Sequence, residues 1–246
     1  MEVTESVVMK KIRVRFTKHG AVRYIGHLDV MRYFQKCIRR AKVNVSYSAG
    51  YSPHQIMTFA APLGVGLESE GEYMDLGIED ENPDCEAIKN ALNEASVPEI
   101  RIRSVKVLPD DAGNAMASVF ASSYEITFYD DKKDACPDAV KMHELIDKMN
   151  SLEHCIYHKE TKKTSRDIDL KEFIYELRTG DSTDIPVIYM TINSSSADSI
   201  KPGFVMEYLF GLDGFDLPAN TLKITRLDMY TQNEDGSLLS LDEVGI

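Results

Sequence analysis

The sequence contains no run of about 18 apolar residues, the length that a membrane-spanning helix needs. Its N-terminus also lacks the basic segment followed by an apolar segment that is typical of a signal peptide. We therefore expect a protein of the cytoplasm with no membrane contact. Residues 1–9 are poorly patterned, and we interpret them as a tail outside the fold.

Cysteine is scarce and scattered. The four cysteines, Cys37, Cys85, Cys136 and Cys155, form no CxxC or CxxxCxxC cluster. This spacing excludes a zinc knuckle and a self-contained iron–sulfur site of those motif types. We expect reduced thiols, as is usual in the cytoplasm, and we predict neither a metal nor a cofactor.

A net positive charge is found only in the N-terminal quarter of the chain. The first sixty residues contain eleven Lys or Arg against three acids, a balance of +8, whereas the whole chain has a net charge of -12. The rest of the chain therefore carries -20. A basic end on an acidic body favours binding of an anion at that end. The alternative is that basic and acidic regions face each other across a domain interface.

The length of 246 residues and the hydrophobic content of 43% indicate two domains. Residues 11–17 alternate as in a half-buried strand, with Ile12, Val14 and Phe16 on one face. Residues 28–42 have the apolar spacing of a helix, and strands follow at 55–61 and 72–78. A second helix after Pro83 and a strand at 99–108 complete a β-α-β-β-α-β order, which is typical of a ferredoxin-like domain.

A comparable order begins again after residues 110–118, which we interpret as a linker. Strands are predicted at 124–129, 155–158, 185–192 and 221–231, and helices at 138–152 and 202–210. We predict an α+β protein of two ferredoxin-like (βαββαβ) halves with antiparallel sheets, the second decorated. The domains are expected at 10–109 and 119–246.

Arginines on two predicted strands suggest a nucleic-acid interface. If the first and fourth strands are neighbours, Arg13, Arg15, Arg101 and Arg103 project together beside Tyr73, and such a face could bind phosphates and a stacked base. The same arginines could equally pair with acids of the second half and be buried. The remaining candidate contacts to nucleic acid are Arg32 and Arg39 on the first helix and Lys162, Lys163 and Arg166 in a later basic run.

A second candidate site combines His27 and Asp29 at the start of the first helix with His54 in the following turn. A helix N-terminus favours anions, and two histidines could act as an acid–base pair. Two histidines and a carboxylate could also bind a metal. The alternative is a helix cap and a turn held by hydrogen bonds.

The N-terminal motifs resemble those of the radical-SAM-linked protein family. The matching segments are Arg13-Val14-Arg15-Phe16, Arg23-Tyr24, His27-Leu28-Asp29, Tyr47-Ser48, Gly50-Tyr51-Ser52-Pro53-His54 and Ala61-Pro62-Leu63. The family is a domain of unknown function that occurs beside, or fused behind, a radical SAM enzyme. The resemblance implies a radical SAM protein as the partner. This sequence has Tyr51-Ser52 where Phe-Asn is common in the family.

We therefore expect a non-catalytic accessory protein that recognises an anionic substrate, RNA in our interpretation, for a radical SAM enzyme. The motif residues expected to contact the substrate are Arg23, His27, Tyr47, Tyr51, Ser52 and His54. One alternative is an RNA-processing or small-molecule enzyme that uses His27 and His54. Another is a purely structural partner of the radical SAM enzyme.

Overall fold

A computed structural model describes residues 9–132, 134, 136–160, 165–182 and 185–245. Most of the predicted tail, together with Lys162 and Lys163, lies outside the described residues. Within the described ranges, every helix is too short or too polar to cross a membrane.

The chain divides into two compact units. The first unit comprises the residues through Val119 together with the segment from Asp228 onward, and the second comprises Phe120–Leu227. This division differs from the predicted domains at the C-terminus, because the predicted second domain extended to residue 246. The predicted linker also contains a short helix, Ala115–Ser118, whose first residue is fully buried. The physical reason for both differences is a small apolar cluster that joins Ala115 to Met229 and Leu241.

The first unit is a mixed α+β structure with an antiparallel sheet. Its strand β1 pairs antiparallel with both β3 and β4, and β2 pairs antiparallel with β3. The element order matches the predicted β-α-β-β-α-β order. The bounds are β1 Lys10–Lys18, α1 His27–Arg40, β2 Met57–Phe59, β3 Glu68–Ile78, α2 Cys85–Ala95, β4 Ile102–Val107 and α3 Ala115–Ser118.

An aromatic core joins the sheet of the first unit to α1. Phe34 of α1 lies between Phe16 of β1 and Phe59 of β2, with ring centroids 4.6 and 5.9 Å away. Val30, Cys37 and the other apolar positions recur at helical spacing, so one face of α1 is buried. That burial fixes the first turn of α1 against the ends of β1 and β2, where the candidate site lies.

The second unit is also mixed α+β. Its strands lie in the order β10-β5-β9-β8, and β5–β9 and β8–β9 are antiparallel, while β6 and β7 form a separate antiparallel hairpin. The bounds are β5 Ala121–Phe128, α4 Ala139–Ser151, β6 Ile156–Glu160, β7 Ser165–Asp169, β8 Ile174–Thr179, β9 Ile188–Asn193, α5 Pro202–Gly211 and β10 Leu222–Gln232. The residues of β10 from Asp228 onward belong to the first unit, as does β11 Leu238–Ser240.

The predicted class, α+β with a mostly antiparallel sheet, is confirmed. The strand predicted at 155–158 is present as β6, but it belongs to the β6–β7 hairpin and not to the order β10-β5-β9-β8. On the side of β9 away from β5, the partner strand is β8, for which the sequence predicts no strand. Of the residues in β8, only Leu177 is buried, so the segment lacks the clean alternation of a half-buried strand.

Candidate functional site

A small cleft opens at the start of α1 in the first unit. Phe16 and Lys18 of β1, His27 of α1, Phe59 of β2 and Glu72 of β3 line it. The space at its centre is about 20 Å³, which is enough for about one water molecule. The cleft therefore offers charged groups to a small polar group, and it is not a preformed pocket for a larger ligand.

Lys18 and Glu72 are both buried, at 2% and 6% exposure. The Lys18 ammonium donates hydrogen bonds to the carbonyl oxygens of Ile25 at 3.0 Å and Arg23 at 3.4 Å. These carbonyls belong to the segment that leads into α1, whose N-cap residue Gly26 supplies no side-chain cap. Lys18 thus fixes the position of the helix start, including His27.

His27 packs edge-on against Phe59, with ring centroids 5.4 Å apart and an interplanar angle of 86°. Burial lowers the pKa of His27 below its ordinary value, because desolvation disfavours the charged imidazolium. At neutral pH the ring is therefore a neutral imidazole, able to donate one hydrogen bond and accept another.

The lowered pKa of His27 predicts a pH-dependent stability. The unfolded state takes up the proton first as the pH falls through about 6.5, the pKa of an unperturbed histidine. The free energy of unfolding should therefore decrease below that pH and be constant, as far as this residue contributes, above it. We expect urea unfolding at pH 7.5 and 5.5 to show a smaller pH dependence in His27→Phe, which keeps an aromatic ring beside Phe59. Equal pH dependence in the two proteins would contradict this prediction.

The structure does not bring His54 or Asp29 into the cleft that His27 lines. His54 is exposed, and its Nδ1 lies 2.8 Å from Ser48 Oγ, which also accepts a hydrogen bond from the His54 amide. Asp29 is exposed and pairs with Arg32 at 3.2 Å. In the part of the chain that the structure describes, no three His, Cys, Asp or Glu residues are placed to share a metal ion. The turn held by hydrogen bonds, one of the predicted alternatives, is the arrangement present at His54.

The predicted platform of four arginines is wrong for Arg13. This side chain is 2% exposed, and its guanidinium forms a two-pronged ion pair with Asp75, with distances of 2.8 and 3.1 Å. Its NH1 group also faces the carbonyl oxygen of Leu241 at 3.3 Å. Arg13 and Asp75 are directly paired across β1 and β3, on the face predicted to be open. The segment from Asp228 onward covers that face, so Arg13 cannot contact RNA.

Arg15 lies under the same cover. Its guanidinium is within 3.8 Å of Asp228 and 3.9 Å of Asp242. Tyr73, opposite Arg15 on β3, donates a hydrogen bond to Asp228, and burial together with that carboxylate raises the pKa of Tyr73. Arg13 and Arg15 therefore belong to an internal polar network of the first unit. This arrangement resembles the predicted alternative in which these arginines pair with acids from later in the chain.

Arg101 and Arg103 do not align with Arg13 and Arg15. The register between β1 and β4 shifts at Arg15 and Phe16, so that Arg15 lies opposite Ser104 and Phe16 lies opposite Ile102. Such a bulge moves the following side chains out of phase. Arg101 is exposed at the edge of β4, and Arg103 pairs with Glu70 at 3.2 Å.

A basic face of α1, formed by Arg32, Lys36 and Arg39, is exposed. The three residues follow the i, i+4, i+7 spacing that places side chains on one face of a helix. Arg32 is 70% exposed, and its ion pair with Asp29 is of the exposed kind that contributes little. Within the described residues, neither Lys36 nor Arg39 has an acid at salt-bridge distance.

The motif tyrosines lie near the start of α1 or in the turn before β2. Tyr24, Tyr47 and Tyr51 are exposed, as is Ser52. Arg23 stacks on Tyr24 with its guanidinium carbon 4.8 Å from the ring centroid and pairs with Glu68 at 3.1 Å. In the second unit, Arg166 pairs with Asp198 at 2.8 Å.

Sequence reasoning missed Lys18 and Glu72, although a signal was present. Lys18 follows Ile12, Val14 and Phe16 in alternation, and Glu72 precedes Met74, Leu76 and Ile78 in the same way. A charged residue that continues the apolar face of a strand is unusual, because burial of an unpaired charge is costly. This pattern marks both residues as members of a buried polar site.

The fold and the cleft define a mixed α+β protein with a mostly antiparallel sheet and a polar site at a helix start. The chain belongs to the family described as "Uncharacterized protein conserved in bacteria (DUF2344)", whose model matches residues 11–202. No curated protein matches the chain in sequence.

Two solved structures are similar to this chain at low sequence identity. A chain from "Crystal Structure of a Cbf5-Nop10-Gar1 Complex" is 7% identical with a TM-score of 0.48, and the alignment covers 91% of this chain and 50% of that chain. An unknown protein from Galdieria sulphuraria is 11% identical with a TM-score of 0.26, over 95% of this chain and 99% of its own. This chain thus spans half the length of the first, and neither likeness bears on function.

Proposed function

We propose that this chain is a non-catalytic accessory protein that binds an anionic substrate, RNA, for a radical SAM partner enzyme. The observation that carries the RNA proposal is the exposed basic face of α1 in a chain whose net charge is -12. Cations on such a chain attract a polyanion only where they are clustered and accessible. The radical SAM partner rests on the sequence resemblance alone.

The geometry of α1 suits a phosphate backbone. Arg39 is seven positions after Arg32, a rise of about 10 Å along a helix. This rise matches about three base steps along one nucleic-acid strand. The exposed rings of Tyr24, Tyr47 and Tyr51 add surfaces on which unpaired bases can stack. Phosphates held by cations and bases held by rings are the usual combination in proteins that bind single-stranded nucleic acid.

We also propose that both units are ferredoxin-like. In the first unit the order β4-β1-β3-β2 follows from the three antiparallel pairs. In the second, the order β10-β5-β9-β8 has the same form, with the β6–β7 hairpin as the decoration. This supports the finer fold prediction and leaves the helices of each unit on one sheet face.

The test is RNA binding as a function of salt. We expect a single-stranded RNA to bind the purified chain with an affinity that falls steeply as salt rises. Reversing the charges of Arg32, Lys36 and Arg39 to Glu should abolish measurable binding at 150 mM salt. Milder triple substitution to Gln should reduce the slope of log K against log salt by about 2, since each phosphate contact contributes about 0.7.

A matched control reverses three exposed cations of the second unit, Arg178, Lys201 and Lys223, with the same change in net charge. This variant should keep most of the affinity. If both triple variants lose binding equally, overall charge and not the α1 face is responsible. Absence of RNA binding by the natural chain would remove RNA from the proposal, and co-purification of a radical SAM protein without RNA affinity would favour the purely structural alternative.

A further inference from the structure

Three side chains on the outward face of the β6–β7 hairpin form a continuous relay of hydrogen bonds. Ser165 Oγ lies 2.9 Å from Nε2 of His158, and Nδ1 of His158 lies 2.8 Å from Asp167 Oδ1. His158 and Asp167 are directly opposite each other across the hairpin, and Ser165 is paired with Glu160. The strand register therefore sets the relay, and all three residues are exposed.

The direction of each hydrogen bond follows from the chemistry of the groups. A carboxylate only accepts, so the ring proton that meets Asp167 must be on Nδ1 of His158. In the neutral ring, Nε2 then carries a lone pair and accepts from the Ser165 hydroxyl. A nucleophile, a base and a group that orients the base are the three parts of an activated serine.

A second histidine nearby, His154, also contacts a carboxylate, but no hydrogen bond to a serine or threonine hydroxyl is found for it among the described residues. His154 Nδ1 lies 2.6 Å from Asp169 Oδ2, while the other oxygen of Asp169 accepts from the amides of Cys155 and Lys171. Desolvation acts to raise the pKa of Asp169. The hydrogen bonds from Cys155, His154 and Lys171 together outweigh it, so the pKa lies below its ordinary value. His154 therefore contributes to the hydrogen bonds of a turn. Among the described residues of the hairpin, His158 is the histidine that lies between a carboxylate and a hydroxyl.

We propose that Ser165 is an activated nucleophile that accepts an acyl group from an activated carboxylic ester. Ser165 Oγ attacks the ester carbonyl, and His158 Nε2 takes the hydroxyl proton while Asp167 holds the resulting imidazolium. The bond from the carbonyl carbon to the leaving oxygen breaks, and His158 passes its proton to solvent or to the departing oxygen. The product is an ester in which the acyl group is bound to Ser165 Oγ.

The probe is p-nitrophenyl acetate, with the full-length chain. We expect one equivalent of p-nitrophenolate to be released and peptide mapping to find acetyl-Ser165. Ser237 is the internal reference, because its exposed hydroxyl donates a hydrogen bond directly to the Asp235 carboxylate at 2.6 Å, with no histidine between them. General-base assistance is typically about a hundredfold or more, so Ser165 should acetylate about a hundred times faster than Ser237.

Variants of the relay residues test whether Ser165 reacts because of His158 and Asp167 or only because it is exposed. His158→Gln should reduce acetylation of Ser165 to the rate at Ser237, and Asp167→Asn should reduce it by about tenfold or more because the ring tautomer is no longer fixed. His154→Gln is the matched control and should leave the rate unchanged. Equal rates at Ser165 and Ser237 in the natural chain, or full activity in His158→Gln, would overturn the proposal. Circular dichroism of each variant checks that the second unit remains folded.

Discussion

Replacing Arg13 with alanine is expected to lower the free energy of unfolding by about 3–5 kcal/mol. The change would leave the Asp75 carboxylate, itself 5% exposed, buried without its guanidinium partner. It would also remove the contact to the Leu241 carbonyl, which helps to hold the C-terminal segment on β1. The midpoint and slope of urea unfolding, followed by circular dichroism, measure the loss.

Lys10→Ala is the matched control, because Lys10 lies on the same strand and pairs with Asp110 at 3.0 Å near the surface. An exposed pair of this kind contributes at most about 1 kcal/mol. The double variant Arg13→Met with Asp75→Leu should recover much of the stability, since it removes both charges and not one. A loss below about 1 kcal/mol in Arg13→Ala would mean that the ion pair is accessible to water, and the platform for RNA would have to be reconsidered.

Alternation predicted the face of each β1 side chain but not what covers that face. Arg13 and Arg15 do lie opposite Asp75 and Tyr73, as strand periodicity indicates. The covering residues, including Asp228 and Asp242, are more than 200 positions away in the sequence, and local patterns contain no information about such contacts. An arginine on a strand face is therefore weak evidence for a nucleic-acid interface until the covering residues are known.

His27 lies at the start of α1, as the sequence predicts, whereas His54 and Asp29 lie outside the cleft that His27 lines. Helix periodicity placed His27 in the first turn of α1, and the structure adds Lys18 and Glu72 to it. The sequence groups His54 with His27 because His54 lies in the turn that follows the helix, but closeness along the chain does not fix the distance between two side chains. The buried charges were the stronger signal, since each interrupts an apolar face where only a paired or hydrogen-bonded charge is tolerated.

The basic face of α1 could be predicted from the sequence. Which of the candidate cations are accessible to a ligand could not. From the sequence, Arg32 and Arg39 are predicted contacts to nucleic acid together with the sheet arginines, with no order among them. The structure buries Arg13 and leaves Arg32, Lys36 and Arg39 of α1 exposed. Helix spacing alone determined which α1 cations share a face, and this information is entirely local.

The double change Met229→Ala and Leu241→Ala should destabilise the first unit and spare the second. Both side chains are fully buried in a cluster with Tyr73 and Ala115, and each truncation to alanine should cost about 2–5 kcal/mol. If the C-terminal segment belongs to the first unit, hydrogen exchange should accelerate across β1, β3 and β4, with smaller changes in β5 and β9. The prediction thus distinguishes the observed division of the chain from the one expected from sequence.

Leu209→Ala is the reciprocal control, because Leu209 is fully buried in the core of the second unit. Its exchange pattern should be the opposite, with β5 and β9 accelerated and β1 protected. Acceleration of β5 and β9 by the Met229 and Leu241 changes, without an effect on β1, would support the original domain boundary. That result would also leave the burial of Arg13 unexplained. The segment from Asp228 onward, which contacts Arg13 through Leu241, would then fold with the second unit and not with β1.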